Sequence, residues 1–159
     1  MAEFSGSPTG EHRRYAVVAS RFNQDIVERL VDGALDALVR HGVAADNVDV
    51  IWVPGAWELP IAARRLLASE RYDALVAVGA VIRGGTPHFE YVAGEASRGL
   101  ALASTDFDTP IGFGLLTCDN VQQAEERAGG AHGNKGWDAA LAALEMSDLF
   151  DRLDATDEG

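Results

Sequence analysis

The sequence predicts an α/β protein built as a three-layer α/β/α sandwich: a four-stranded parallel sheet with helices on both faces. Three observations predict it. Four short apolar runs, YAVVAS (15–20), VDVIWV (48–53), ALVAVGAVI (74–82) and IGFGLLT (111–117), are continuous rather than alternating, the pattern of strands buried on both faces. Segments of helical period separate them, and strands that alternate with helices form βαβ units around a parallel sheet. The chain has 159 residues, 47% of them hydrophobic, which suits one domain around one core.

Each helix has its own signal. From Gln24 to His41, Ile26, Leu30, Ala34 and Leu38 recur at every fourth position beside Val27, Val31 and Leu35, giving one wide apolar face. Gly42 stops that helix. ELPIAARRLLASE (58–70) is the second. His88 to Ala103 is the third, with Phe89, Val92, Ala96 and Leu100 on one side. Asn120 to Ala128 is a shorter fourth, and Lys135 to Phe150 a fifth carrying Ala139, Leu141, Ala142, Leu144 and Leu149. Right-handed crossovers distribute the helices over both faces, a flavodoxin-like arrangement. The expected organisation is one domain over 13–151, a flexible N-terminal arm over 1–12 and a disordered acidic tail over 152–159.

Composition excludes several functions. Thirteen basic residues face 25 acidic ones, a formal charge of -12. A nucleic-acid binder needs a basic face to meet phosphates, so no nucleic-acid partner is expected. The single cysteine, Cys118, excludes an intramolecular disulfide and a cysteine zinc cluster. It points to a reducing compartment, the cytoplasm. Cys118 is either a nucleophile or a buried packing group, the second being commoner. No stretch is apolar for long enough to span a membrane, and MAEFSGSPTGEHRR lacks the apolar centre of a secretory signal. His12, His41, His88 and His132 have no ligand spacing, so no metal site is expected.

In an open parallel sheet, ligands collect beyond the carboxyl ends of the strands. The informative segments are therefore RFN (21–23), PGAWELP (54–60), RGGTPH (83–88) and TCDN (117–120). In the third, Thr86 suits a helix N-cap and Pro87 the first helical position. Gly84 and Gly85 permit close backbone approach and positive φ. The free N–H groups of Gly85, Thr86 and the first turn then make an anion site, for phosphate first and carboxylate second. His88 sits in that positive field, which disfavours a second positive charge, and a neutral imidazole beside an anion is a general base. The competing reading is an ordinary first-turn surface residue. In the second corner, Pro54 and Pro60 stiffen a segment kept thin by Gly55 and Ala56. Glu58 either accepts hydrogen bonds from a polyol or complements a helix start. Trp57 is a ring platform or core, and Phe22 a stacking surface or core.

FNQDIVERLVDGAL, VPGAWELP, YDALVAVGAVIRGGTPHFEYV, GFGLLTCDNVQQAEERAG and NKGWDAALAALEM, in that order over residues 15–150, resemble the lumazine synthase family. The resemblance implies a transferase of riboflavin biosynthesis. It condenses 5-amino-6-(D-ribitylamino)uracil with 3,4-dihydroxy-2-butanone 4-phosphate to 6,7-dimethyl-8-ribityllumazine, without metal or organic cofactor. It assigns Phe22 to stacking on the pyrimidine. Ala56, Trp57 and Glu58 fall to the ribityl chain and ring, and Val81 and Ile82 to backbone contacts with the pyrimidine. Gly85, Thr86 and Arg127 fall to phosphate, His88 to proton transfer, and Phe113 and Lys135 to further ring contacts. Gly85 stands where a larger side chain is common in the family. In the family the counterparts of Phe113, Arg127 and Lys135 reach in from a neighbouring subunit.

The resemblance also implies a homo-oligomer of pentamers with shared sites. The short GGAHGNKG loop (129–136) favours twelve pentamers closed into an icosahedral shell, with riboflavin synthase as a candidate cargo. The N-terminal arm is a candidate edge strand for a neighbour's sheet. Two rival readings are a flavin- or nucleotide-binding module on the same sheet and a purely structural shell.

Overall fold

A computed structural model describes residues 1–158. The four apolar runs form β1 (Tyr15–Ser20), β2 (Val48–Val53), β3 (Ala74–Ile82) and β4 (Ile111–Cys118). All pair in parallel, in the order β2-β1-β3-β4. The four-stranded parallel sheet is thus as the sequence predicts. β1 and β3 are central and almost wholly buried. β2 is an edge strand and only half-buried, unlike the two-sided burial that its apolar run suggested.

Five helices follow: α1 (Gln24–Arg40), α2 (Leu59–Ala68), α3 (His88–Asp106), α4 (Val121–Glu126) and α5 (Lys135–Glu158). α1 and α5 cover one face, where Leu30, Ala34 and Leu144 meet Val17, Val76 and Val78. α2 and α3 cover the other, where Leu59, Ala63 and Leu100 meet Ala16, Val18 and Ala77. Alternate residues of each strand therefore enter different cores, as a parallel sheet with two covered faces requires. Gly112 on β4 has a packing reason: a Cβ there would overlap the Ala139 carbonyl of α5. Gly42 adopts φ 97° and ends α1 as expected.

Three features differ from the sequence reading. A small antiparallel hairpin, β5 (Ala128–Gly130) with β6 (Gly133–Asn134), joins α4 to α5. It was not foreseen, because strands of three and two residues carry no hydrophobic period. α5 runs through the acidic segment expected as tail, to Glu158. The Asp148–Arg152 pair at 2.8 Å and the Thr156 hydroxyl on the Arg152 carbonyl support that extension; Gly159 lies outside the described residues. The segment expected as an arm is anchored at two points. The Ser7 N–H donates to Asp148 at 2.8 Å and the Gly10 N–H to the His41 carbonyl at 2.8 Å.

The reason for that anchorage is Arg13. It is 4% exposed and donates to Asp148 at 2.9 Å, to Asp151 at 2.7 Å and to the Thr9 carbonyl at 2.7 Å. Beside it, the Tyr15 hydroxyl meets Ser147 at 2.7 Å. A buried guanidinium requires such complete pairing. No helix among the described residues is long and apolar enough to cross a membrane.

Candidate active site

The strand order places neighbours on opposite sides of β1, so successive crossovers diverge above its carboxyl end. That divergence is where an open parallel sheet leaves a crevice. A cleft of about 640 Å³ lies there, within the size range of small-molecule sites. Phe22, Ala56, Trp57, Glu58, Val81, Ile82, Thr86 and His88 all line it. Sequence reasoning therefore brought eight of its site residues to one place. Gly85 lies between the lining residues Gly84 and Thr86.

Local chemistry explains the placement. The Arg21 and Phe22 N–H groups donate to the Val53 and Pro54 carbonyls at 2.8 and 3.2 Å, extending the β1–β2 ladder past the sheet. Asn23 then takes a left-handed turn, φ 63°, and its side-chain amide donates to the Ala80 carbonyl at 2.9 Å. Asparagine tolerates that conformation better than most side chains. The turn leaves Phe22 73% exposed and Trp57 58% exposed, so neither ring belongs to the protein's own core. Ala56 to Glu58 form a single 3-10 turn into α2. Glu58 lies beside Gly55, whose missing side chain keeps the wall thin.

The RGGTPH corner departs from expectation in two details. Pro87, not Thr86, occupies the position before α3, with no side-chain cap bond. Thr86 Oγ1 only meets the His88 N–H at a long 3.4 Å. Proline's ring disfavours helical backbone in the residue before it, which keeps Thr86 outside the helix. Gly84 and Gly85 do not adopt positive φ. A side chain at either would meet nothing within 4 Å, so the loop is bare backbone facing open space. Arg83 braces it: the guanidinium donates to Asp119 at 3.0 Å and Glu90 at 3.1 Å and lies 4.5 Å over the Phe89 ring. Those bonds hold its pKa above the ordinary guanidinium value. Tyr91, exposed and also lining the cleft, was not foreseen; its signal is an aromatic one helical turn beyond His88.

The three remaining site residues lie elsewhere. Phe113, Arg127 and Lys135 line a second cleft of about 500 Å³ beside the edge strand β4, together with Cys118 and His132. The two clefts share no lining residue. Phe113 is 43% exposed. Arg127 is held by the Gln123 carbonyl at 3.0 Å, with Glu126 at 3.6 Å from both Arg127 and His132. Cys118 is buried, and burial pushes its thiol pKa up against the nearby Arg127 charge. A raised thiol is a poor nucleophile, which leaves Cys118 its packing role. No group of three metal-ligating side chains occurs among the described residues.

A family model described as 6,7-dimethyl-8-ribityllumazine synthase matches residues 12–151. A curated relative of that name from Gemmatimonas aurantiaca is 70% identical over 152 residues, covering 96% of this chain and 93% of its own length. A second, from Aquifex aeolicus, is 51% identical over 153 residues, covering 96% of this chain and 99% of its own. Match and identity span the sheet, both clefts and the hairpin that joins α4 to α5, and the chain belongs to the 6,7-dimethyl-8-ribityllumazine synthase family.

Proposed function

We propose that this enzyme of riboflavin biosynthesis condenses 5-amino-6-(D-ribitylamino)uracil with 3,4-dihydroxy-2-butanone 4-phosphate. The product is 6,7-dimethyl-8-ribityllumazine, with release of phosphate and water. One observation carries the reading beyond family membership: the chain holds two half-sites of complementary chemistry. The cleft above β1 and β3 offers the exposed Phe22 ring, the polar Glu58, bare loop backbone and His88. The cleft beside β4 offers Arg127, Lys135 and Phe113. A planar pyrimidine suits the first and a phosphate needs the cations of the second.

The active unit is a homo-oligomer in which a neighbour's β4 edge closes each cleft. Phe22 stacks on the pyrimidine, against Phe113 and Lys135 of the neighbour. Ala56, Trp57 and Glu58 take the ribityl chain, and the Val81 and Ile82 backbone takes the ring edge. Gly85, Thr86 and the neighbouring Arg127 hold the phosphate. The amine attacks the ketone and loses water to form an imine. His88 takes a proton from the adjacent carbon as phosphate leaves. The enol left behind tautomerises to a ketone, and the second amine adds to it and closes the ring with loss of water. Each step is intrinsically feasible once the partners are aligned, so proximity supplies much of the catalysis. The pentamer is the unit that closes the site; assembly of pentamers into an icosahedral shell follows from the short hairpin loop.

Sedimentation velocity, with both substrates added to the separated fractions and product fluorescence followed, tests this. A megadalton species that makes the lumazine supports enzyme and shell together. An active pentamer removes the shell. An active monomer, or an assembly without product, contradicts the shared site.

A further inference from the structure

The residue before Lys135 spends its side chain on fixing the cationic half-site. We propose that Asn134 is a positioning residue that sets where Arg127 meets the phosphate of the ketone substrate and Lys135 the pyrimidine; this rests on the roles given to those two residues above.

Asn134 Oδ1 accepts from the Gly136 N–H at 2.8 Å and the Trp137 N–H at 3.1 Å. These are donors that a helix start otherwise leaves unpaired, so the bonds fix the first turn of α5, which begins at Lys135. The same carboxamide's Nδ2 donates to the Arg29 carbonyl of α1 at 3.0 Å, fixing that turn against α1. The link to Arg127 runs through the backbone of the residue flanking each strand of the hairpin: the Lys135 N–H donates to the Arg127 carbonyl at 2.8 Å, and Asn134 pairs with Ala128. One side chain therefore fixes the start of α5 and its seat on α1, and the backbone bond from Lys135 carries that placement to Arg127.

The seat itself is built from glycine. A Cβ on Gly33, in the middle of α1, would overlap the Asn134 carboxamide, and one on Gly136 would overlap the Leu30 carbonyl. Glycine inside a helix is unfavourable, and at Gly33 it makes room for this carboxamide. Lys135 is exposed and Arg127 half-buried, the latter held by the Gln123 carbonyl at 3.0 Å, so the position of their backbone largely sets where the two charges lie. A side chain with both a donor and an acceptor is required, and asparagine at this length supplies both.

Steady-state kinetics on Asn134→Ala and Asn134→Asp, beside Arg127→Ala and Lys135→Ala, test the proposal, with sedimentation confirming assembly. Asn134→Ala is expected to raise KM for the phosphate-bearing ketone by about tenfold or more, as misplaced binding groups do, while kcat falls less than about threefold. Asn134→Asp keeps both acceptor bonds but loses the donor to the Arg29 carbonyl, so it is expected to recover only part of the loss. An assembled Asn134→Ala protein with KM within about twofold of the parent overturns the proposal. If Asn134→Ala does not fold, Asn134→Ser replaces it, retaining a capping oxygen but not the reach to Arg29; a KM unchanged there overturns the proposal equally. If Arg127→Ala and Lys135→Ala also leave both KM values unchanged, the cationic half-site itself is wrong. If they raise KM and Asn134→Ala does not, the positioning role alone fails.

Discussion

The cleft above the sheet and the cleft beside β4 are made of opposite materials. The first is wide and mostly apolar, with exposed aromatic rings and a loop of bare backbone. The second gathers Arg127, Lys135 and His132 over an edge strand. Neither is a complete site for the proposed pair of substrates, one planar and the other phosphorylated. The first has backbone donors for an anion but no unpaired cation, since Arg83 is already engaged by Asp119 and Glu90. The second has cations but only one exposed ring, Phe113. The difference supports the proposed junction between copies as the functional unit, and each half is best perturbed separately.

The largest expected effect comes from the first half. His88→Ala should slow kcat by about a hundredfold, the low end for a lost general acid–base group, with KM little changed. A loss beyond about 10⁴ would give the histidine a larger role than proton transfer. Next comes the second half. Arg127→Ala should raise KM for the phosphate substrate about thirtyfold, as losing about 2 kcal/mol of charge-assisted bonding implies. An unchanged KM removes Arg127 from the phosphate site. If the two variants instead change the same kinetic parameter equally, the division of labour is wrong.

The smallest effect concerns the scaffold beneath both halves. The Ser7 N–H bond lowers the Asp148 pKa, burial opposes it, and Arg13 adds to the lowering. A carboxylate whose folded pKa is depressed contributes stability above its unfolded value, lost as pH falls through the folded one. Acid unfolding of the parent should therefore steepen below about pH 4, and Asp148→Asn should flatten that part of the profile. A variant whose stability falls with acid as steeply as the parent's contradicts this assignment.

Much of this was legible in the sequence, and unevenly. The four strands were readable because burial on both faces writes a continuous apolar run. Strand order was not, because it depends on which crossover packs on which face. Phe22 and Trp57 could not be assigned to core or platform from sequence, since an aromatic beside a strand fits either. Their exposure removes the core reading: both rings stand clear of the protein's own core. The Thr86 cap failed by one position because Pro87 constrains its predecessor. The Gly-rich hairpin and Asn134 were missed because their signal is a pattern of single close contacts, to Gly33 and Arg29, more than 90 residues away in the chain. The separation of Phe113, Arg127 and Lys135 from the other site residues came from the family resemblance, not from spacing.

The central claim is that one site is built from two copies. Co-expression of His88→Ala and Arg127→Ala subunits, followed by assay of the mixed assembly, tests it most directly. In a head-to-tail ring of equally mixed subunits, about a quarter of junctions pair an intact cleft with an intact cationic edge. Assayed at ketone phosphate well below the parent's KM, activity should therefore rise to about that fraction of the parent's, far above either variant alone. Activity equal to the average of the two variants, in an assembly shown to contain both, would contradict the account.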